Sequence, residues 1–446
     1  MSKFSKRQYS TLIAFCVAQF CNGLCISIQA PFYPKEAEDK GAVPSQYGFV
    51  FGVYELVVFI FSPIYGKFLN RVGVKLVNNT GIFTVGICCI LFGFLDKIDD
   101  TSSFIGFSFA IRIIEATGTA AFTTAAFSII AKEFPSDVGS TFALIETFFG
   151  IGLILGPTVG GGLYELGGFI LPFAVIGSLL LGAGFLVLCL LPNTDNDPIL
   201  SSSKGMMSLL KLPPILLGAA TVFGASLSIG FVQATLEPHL RSLNLSPLQL
   251  GFMFVLNGAA YALLAPIWGK LSDKWLTSQT VSMLGAFFIA CAFILLGPAP
   301  FLPLHMSLSL CIIALISHGL GIGAELVSTF SGFHKDAIKL GFPDDIGTYG
   351  LVSGLWTSTF ALGAFVGPSL SGVLFDTIGF PWAAQLIVGY HLCIFLGTGV
   401  YILFFRNKFI AKFEGISSND LVEREAIITR DKDLTESYGS TSPRDL

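Results

Sequence analysis

Charge is what this sequence has least of. Asp, Glu, Lys and Arg make up 12% of its 446 residues, roughly half the share of an ordinary soluble domain. With 53% hydrophobic residues and a mean hydropathy of +0.76, the composition excludes a conventional water-soluble globule. Also missing is the alternation of apolar and polar residues over roughly ten-residue strands that a membrane β-barrel needs. The nine cysteines all fall inside apolar runs, which argues against a disulfide framework and for buried packing residues. No phosphate-cradling loop, nucleophile elbow or zinc-ligand spacing occurs. A conventional enzyme, a bound metal and a resident cofactor are therefore not expected. The net charge of −4 gives no footing for a nucleic-acid partner.

What is present is length in the apolar runs. Crossing a bilayer as a helix takes about 20 apolar residues. Twelve such spans fall near 9–32, 47–66, 76–95, 104–130, 140–163, 169–191, 214–236, 248–269, 280–297, 306–330, 347–375 and 380–405. The chain is expected to be an all-α membrane protein, with the lipid bilayer as its first partner. Basic residues set the orientation. Of the 25 Lys and Arg, 20 lie in the N-terminus, the tail and the loops on their side. Four (Lys35, Lys40, Lys97 and Arg241) lie on the other side, and Arg112 sits inside a span. That asymmetry places both termini in the cytosol and fits an even number of crossings. The basic residues before the first run do not make it a signal peptide, because it is too long and lacks a cleavage site.

The chain repeats itself. Gly152-Leu-Ile-Leu-Gly156-Pro157-Thr-Val-Gly160-Gly161 returns 211 positions later as Gly363-Ala-Phe-Val-Gly367-Pro368-Ser-Leu-Ser-Gly372. Ser62-Pro63-Ile64-Tyr65-Gly66-Lys67 returns 203 positions later as Ala265-Pro266-Ile267-Trp268-Gly269-Lys270. Two signatures in one order at nearly one spacing mean two related halves, the architecture of secondary transporters. The expected organisation is a six-helix bundle over 1–191, a polar cytosolic linker over 192–213, a second bundle over 214–405, and a charged, aperiodic tail over 406–446. The tail reads as disordered. Within it, Glu423-Arg-Glu-Ala-Ile427-Ile428 resembles an acidic dileucine sorting signal, which makes a sorting adaptor a candidate partner.

Small residues at every fourth position let another helix approach closely, and Pro157 bends its own helix. The run Gly152, Gly156, Pro157, Gly160, Gly161 resembles the fifth-helix signature of antiporters in the major facilitator superfamily. Gly66-Lys-Phe-Leu-Asn70-Arg71-Val-Gly73-Val-Lys75 looks like that superfamily's cytosolic loop motif, with Asn70 where Asp is usual. Its second copy, Gly269-Lys270-Leu-Ser-Asp273-Lys274, keeps the Asp and loses the trailing basic cluster. Arg112-Ile-Ile-Glu115-Ala-Thr-Gly118 resembles the signature whose arginine is linked to proton coupling. Pro31-Phe-Tyr-Pro-Lys35, Ile145-Glu146-Thr-Phe148 and Gly350-Leu-Val-Ser-Gly354 extend the similarity to vesicular amine transporters, in particular their polyamine-carrying members. The resemblance implies a major facilitator fold and proton-coupled export of a small cationic amine into an acidic secretory or synaptic-type vesicle. Monoamine members carry an aspartate where this chain has Asn22, which counts against monoamine substrates.

An ionisable group in mid-membrane is expensive and faces a cavity or a partner. Glu55 lies halfway along the second span as a lone carboxylate, which makes it the leading substrate-binding candidate, with Asn22, Gln233 and Glu325. Arg112 and Glu115, one turn apart, and His318 are the proton-coupling candidates. His318 and Glu325 share a helix face, seven residues being close to two turns. For Arg112 with Glu115 a structural ion pair is the competing reading. Glu325 competes with a solvent-facing helix end, and His318 with neutral packing. Glu146 is expected at the cytosolic gate, with Gly66, Arg71 and Asp273 as motif positions. Carboxylates spread along a cavity suit a substrate with several ammonium groups. Export of other organic cations, and a membrane sensor that moves nothing, are the alternatives.

Overall fold

The computed structural model describes residues 4–134, 138–191, 209–303, 305–339, 341–342 and 346–405. The side chains of Arg71 and Asp273 are outside that description, as are Glu423, Ile427 and Ile428 of the tail. The described residues form helices with short connections. In order these are α1 Lys6–Ser27, α2 Tyr33–Asp39, α3 Pro44–Val72, α4 Val74–Gly93, α5 Thr101–Glu133, α6 Val138–Gly167, α7 Ile170–Leu190, α8 Pro213–Leu240, α9 Pro247–Lys274, α10 Ser278–Leu296, α11 Leu308–Lys339 and α12 Ile346–Val400. Eleven candidate membrane spans are present, and the last, Leu351–Phe405, is 55 residues long. It contains a break at Gly379, whose φ of 73° no helix contains, followed by Pro381. α12 is thus two membrane-length arms, which brings such helices among the described residues to twelve. The first span ends earlier than its apolar run suggests. α1 stops at Ser27, and Phe32–Lys40 holds the short helix α2, with Pro34 in its first turn.

The outside of the protein is apolar. Leu263 and Leu166 are 75% and 81% exposed, an arrangement that suits hydrocarbon and not water. Two of the cysteines expected as packing residues belong to this surface, since Cys189 and Cys393 are exposed while Cys16, Cys21, Cys25, Cys88, Cys89 and Cys311 are buried. One buried core is built largely from α1 to α7 and another from α8 to α12.

The glycine signature performs two jobs. A Cβ on Gly152 would lie within 3.0 Å of the Phe20 carbonyl oxygen, and one on Gly23 would meet the same helix pair from the other side. Gly156 packs on Ser27 and Gly160 on Ile28, so three of the small residues seat α6 on α1. Gly161 instead meets the carbonyl of Pro247 in the other half. The second copy repeats the division. Gly363 and Gly367 seat α12 on Phe223 and Leu227 of α8, whereas Gly372 meets the carbonyl of Pro44. Gly48 against Pro368 is likewise matched by Gly251 against Pro157. Close approach of helix backbones is the reason these positions lack side chains.

All of these contacts between halves lie near the ends of α3, α6, α9 and the first arm of α12 that are remote from Lys6 and Phe405. We call this the far face, and the side carrying the chain ends the terminal face. Three polar links join the halves on the far face. The Ser45 N–H donates to Asp376 Oδ2 at 2.8 Å, and the Leu248 N–H donates to Glu165 Oε1 at 2.9 Å. Arg241, held by Glu237 at 2.7 Å, also pairs with Glu38 of α2, and Glu38 accepts from the Tyr47 hydroxyl at 2.9 Å. Among the described residues, the contacts between halves concentrate on the far face.

Candidate functional site

The far-face seam determines which membrane-depth residues face the opposite half. Gly48 and Gly52 present one face of α3 to Pro368, Phe365 and Ser369 of α12. Glu55 follows one turn later on that face, just where the close contact ends. It is partly accessible, and its carboxylate makes no hydrogen bond or ion pair among the described residues. Gln233 is also partly accessible, one turn from the Glu237 that meets Arg241. Glu146 is exposed and lies within electrostatic reach of Tyr261 on α9. Glu146 lies two turns before Ile154, whose side chain meets Gly258 of α9.

Behind Glu55 stands a closed polar cluster. Arg112 is 2% exposed and donates from Nη1 to Glu115 Oε2 at 2.8 Å. Its Nη2 donates to the Ile26 carbonyl at 3.4 Å. The guanidinium carbon lies 4.7 Å from the centre of the Tyr54 ring and 5.8 Å from that of Phe92, two cation–π contacts in a desolvated setting. Tyr54 continues the network. Its hydroxyl donates to Thr119 at 2.6 Å, and Thr119 donates to Asn22 Oδ1 at 3.3 Å. Asn22 is wholly buried and gives its amide to Gln19 at 3.4 Å. The structure therefore joins Asn22, Arg112 and Glu115 through Tyr54 and Thr119, two residues that sequence reasoning passed over. Among the described residues, the Arg112 Nε has no hydrogen-bond partner.

The second half is organised around histidine. Asn257 Nδ2 donates to His318 Nδ1 at 2.5 Å, which leaves the imidazole proton on Nε2 to be donated to Ser228 Oγ at 2.9 Å. Ser228 then donates to the Ala225 carbonyl at 2.7 Å. A second proton on His318 would require the Asn257 amide to turn its oxygen to Nδ1. His318 is thus a buried, hydrogen-bonded junction whose imidazole carries a single proton in this arrangement. Two turns away, Glu325 is 0% exposed, which overturns the reading of a solvent-facing helix end. Its Oε2 lies 3.6 Å from Nε2 of the equally buried His391 on the second arm of α12. His391 holds its Nδ1 at 3.0 Å from the Ile387 carbonyl, so Nε2 is the nitrogen turned to Glu325. A cavity of about 420 Å³ lies elsewhere, lined by Tyr65, Thr80, Thr84, Thr117 and apolar neighbours of α3, α4 and α5. None of the candidate residues lines it.

The sequence profile of the Major Facilitator Superfamily matches residues 15–339. The chain belongs to the major facilitator superfamily. It is 36% identical over 424 residues to the MFS-type transporter SLC18B1 of Homo sapiens, covering 93% of this chain and 91% of that protein. It is 26% identical over 377 residues to the synaptic vesicular amine transporter of Mus musculus, covering 82% and 69%. Among solved structures, a bacterial homologue of the human lysosomal transporter Spinster aligns with a TM-score of 0.69 at 13% identity, over 90% of this chain and 97% of that one. The nucleoside transporter NupG aligns with a TM-score of 0.68 at 13% identity, over 87% and 99%. This protein is therefore a multi-pass membrane transporter of the superfamily, related to the vesicular amine transporters, and not an enzyme.

Proposed function

We propose that this transporter is a proton-coupled antiporter that moves cationic amines, polyamines such as spermidine and spermine foremost, from the cytosol into an acidic vesicle. The terminal face is the cytosolic one in this reading, in accord with its excess of Lys and Arg. The observation that carries the proposal is Glu55, a partly accessible carboxylate on the inter-half face of α3 with no hydrogen-bond or ion-pair partner among the described residues. An unpaired carboxylate at membrane depth is expensive, and an ammonium group of the substrate offsets that cost. Gln233 and Glu146 supply a neutral acceptor and a second acid on faces turned to the same space, which suits a chain of ammonium groups better than a single one. Asn22 supports the distinction from monoamines, because a buried amide bonded to Gln19 and Thr119 offers no anion.

The cycle follows from these positions. Glu55 loses its proton toward the cytosol and binds an ammonium group. Rocking of the halves then turns the site to the lumen, where a proton taken up by the carboxylate releases the amine. Arg112 and Glu115 lie beside Glu55 as a charge pair that proton movement can reset, and His318 and Glu325 provide proton-bearing groups in the second half. The test is uptake of labelled spermidine into liposomes holding the purified protein, with and without an acid interior. Gradient-dependent uptake that spermine inhibits and serotonin leaves unchanged is the expected result. A Glu55→Gln variant is expected to bind spermidine about 30-fold more weakly, the worth of one well-desolvated charge pair of roughly 2 kcal/mol. Unchanged affinity in that variant would remove Glu55 from the site.

A further inference from the structure

Two helices that begin at the far face are capped from the opposite half. α3 starts at Pro44, and the residue before it, Val43, has no side-chain oxygen to accept the free N–H groups of the first turn. The Ser45 N–H is instead satisfied by Asp376 Oδ2, which extends from the first arm of α12 at 2.8 Å. α9 starts at Pro247, where Ser246 caps the Gln249 N–H at 3.3 Å. The Leu248 N–H is left over, and Glu165 Oε1 of α6 takes it at 2.9 Å. The two links are equivalent positions of the repeat, because residues 45 and 248 differ by 203 and residues 165 and 376 by 211. The flanking residues repeat as well. Pro44-Ser-Gln46-Tyr-Gly48 matches Pro247-Leu-Gln249-Leu-Gly251, and Gly161-Gly-Leu163-Tyr-Glu165 matches Gly372-Val-Leu374-Phe-Asp376.

We propose that Glu165 and Asp376 are a pair of gating residues that hold the far face shut, each by capping the first helical turn of the opposite half. Both side chains are exposed, so neither belongs to the core of its own half. Their contacts exist only while the halves are together. When the halves part, the Ser45 and Leu248 N–H groups and both carboxylates pass to water, and only a contact made in one state shifts the balance between two. A carboxylate is also the favoured partner of a helix N-terminus because of the aligned peptide dipoles. Gly161 and Gly372, one turn before each acid, admit the carbonyls of Pro247 and Pro44 and thereby bring each acid to its N–H. The Arg241 and Glu38 pair on the same face is a separate link, and its two members are themselves equivalent positions, 203 apart, with Glu237 holding Arg241. The gating assignment does not depend on which substrate is carried.

The test uses the full-length protein in lipid nanodiscs, with spin labels on non-natural amino acids at positions 102 and 301. These are exposed far-face positions in different halves, so the labels need no cysteine. Double electron–electron resonance then reports the fraction of molecules with the far face closed. Glu165→Ala or Asp376→Ala alone is expected to lower the closed-to-open ratio about threefold, and the double variant about tenfold. Asp376→Lys is expected to exceed Asp376→Ala, because a cation at a helix N-terminus is repelled. Asp376→Asn, which keeps an acceptor oxygen, is expected to do less than either. Should the double alanine variant not fold, the Glu165→Gln, Asp376→Asn pair gives the same direction at smaller amplitude. Distance distributions identical to the parent in the double variant, or Lys no more disruptive than Ala, would overturn the assignment.

Discussion

The glycine signature makes a prediction in which two neighbouring residues of one motif respond with opposite sign. Gly152 and Gly161 both sit where a Cβ would come within 3.0 Å of another helix's backbone, closer than packed side chains tolerate. Forcing a methyl into such a contact costs about 1–3 kcal/mol, while replacing glycine by alanine inside a helix returns about 1 kcal/mol. At Gly152 the clash is with Phe20 and Gly23 of α1, in the same half. That contact persists however the halves rock, so Gly152→Ala should lower the unfolding temperature. At Gly161 the clash is with Pro247 and Leu248 of the other half. Opening the far face relieves it, so the cost falls on the closed state alone and the helix gain remains. Gly161→Ala should leave the unfolding temperature unchanged or raised, and shift the population toward an open far face by about 5- to 150-fold, the equivalent of 1–3 kcal/mol. Thermal unfolding in one detergent, together with modification of a cysteine introduced at Ser45 by an impermeant maleimide, reads both effects. A fall in unfolding temperature at Gly161 equal to that at Gly152, with no gain in labelling, would refute the division of labour. Gly363→Ala and Gly372→Ala repeat the experiment in the second half.

Arg112→Ala should destabilise the first half by about 3–5 kcal/mol, because it leaves Glu115 as an uncompensated buried charge. The double variant Arg112→Met, Glu115→Leu should regain most of that loss, and thermal unfolding of the four species of the cycle measures it. Asp100 caps α5 by accepting from the Ser103 N–H at 2.8 Å, and its hydrogen bonds to Ser103 hold its carboxyl below the usual range. A lowered value in the folded state means that the cap acts fully above the ordinary aspartate range of about 4 and is lost as pH falls through the lowered value. The difference in unfolding temperature between the parent and Asp100→Ala should therefore be constant near neutrality and shrink below about pH 4.

The helical class and the membrane-length helices were legible because a bilayer imposes length and apolarity on every span. The position of Glu55 on an inter-half face was nearly legible too, since it lies at helical spacing from glycines that the seam requires. The partners were not. Glu325 finds His391 across 66 positions, and His318 finds Ser228 and Asn257 across 90 and 61. Helical periodicity reports which face a residue occupies and says nothing of which helix lies opposite. Serine, asparagine and threonine are too common to stand out, so Tyr54 and Thr119 gave no signal before the fold brought them to Arg112. Glu165 and Asp376 did carry one. Both end the repeated glycine signature at equal register, and extending the comparison of the halves by four residues would have paired them.

The halves keep their likeness at the seam and lose it inside. Gly161 with Pro247, Gly372 with Pro44, and the two cross-capping acids match position for position, whereas the interiors do not. One half buries Arg112 with Glu115, and the other buries His318 and a Glu325–His391 pair. Physical demands explain the split. A seam that must close and open as two bodies rock is most evenly strained when both sides meet through the same contacts. In the proposed cycle, a site that holds a cation and exchanges a proton needs groups of different chemistry on its two walls, because two copies of one carboxylate would repel each other when empty. The repeat is thus kept along the far face and lost at the centre. Replacing Glu165 with Asp and Asp376 with Glu should consequently be tolerated, with uptake rates near the parent. Placing an arginine in α11, as Glu325→Arg, should abolish transport in the same uptake assay.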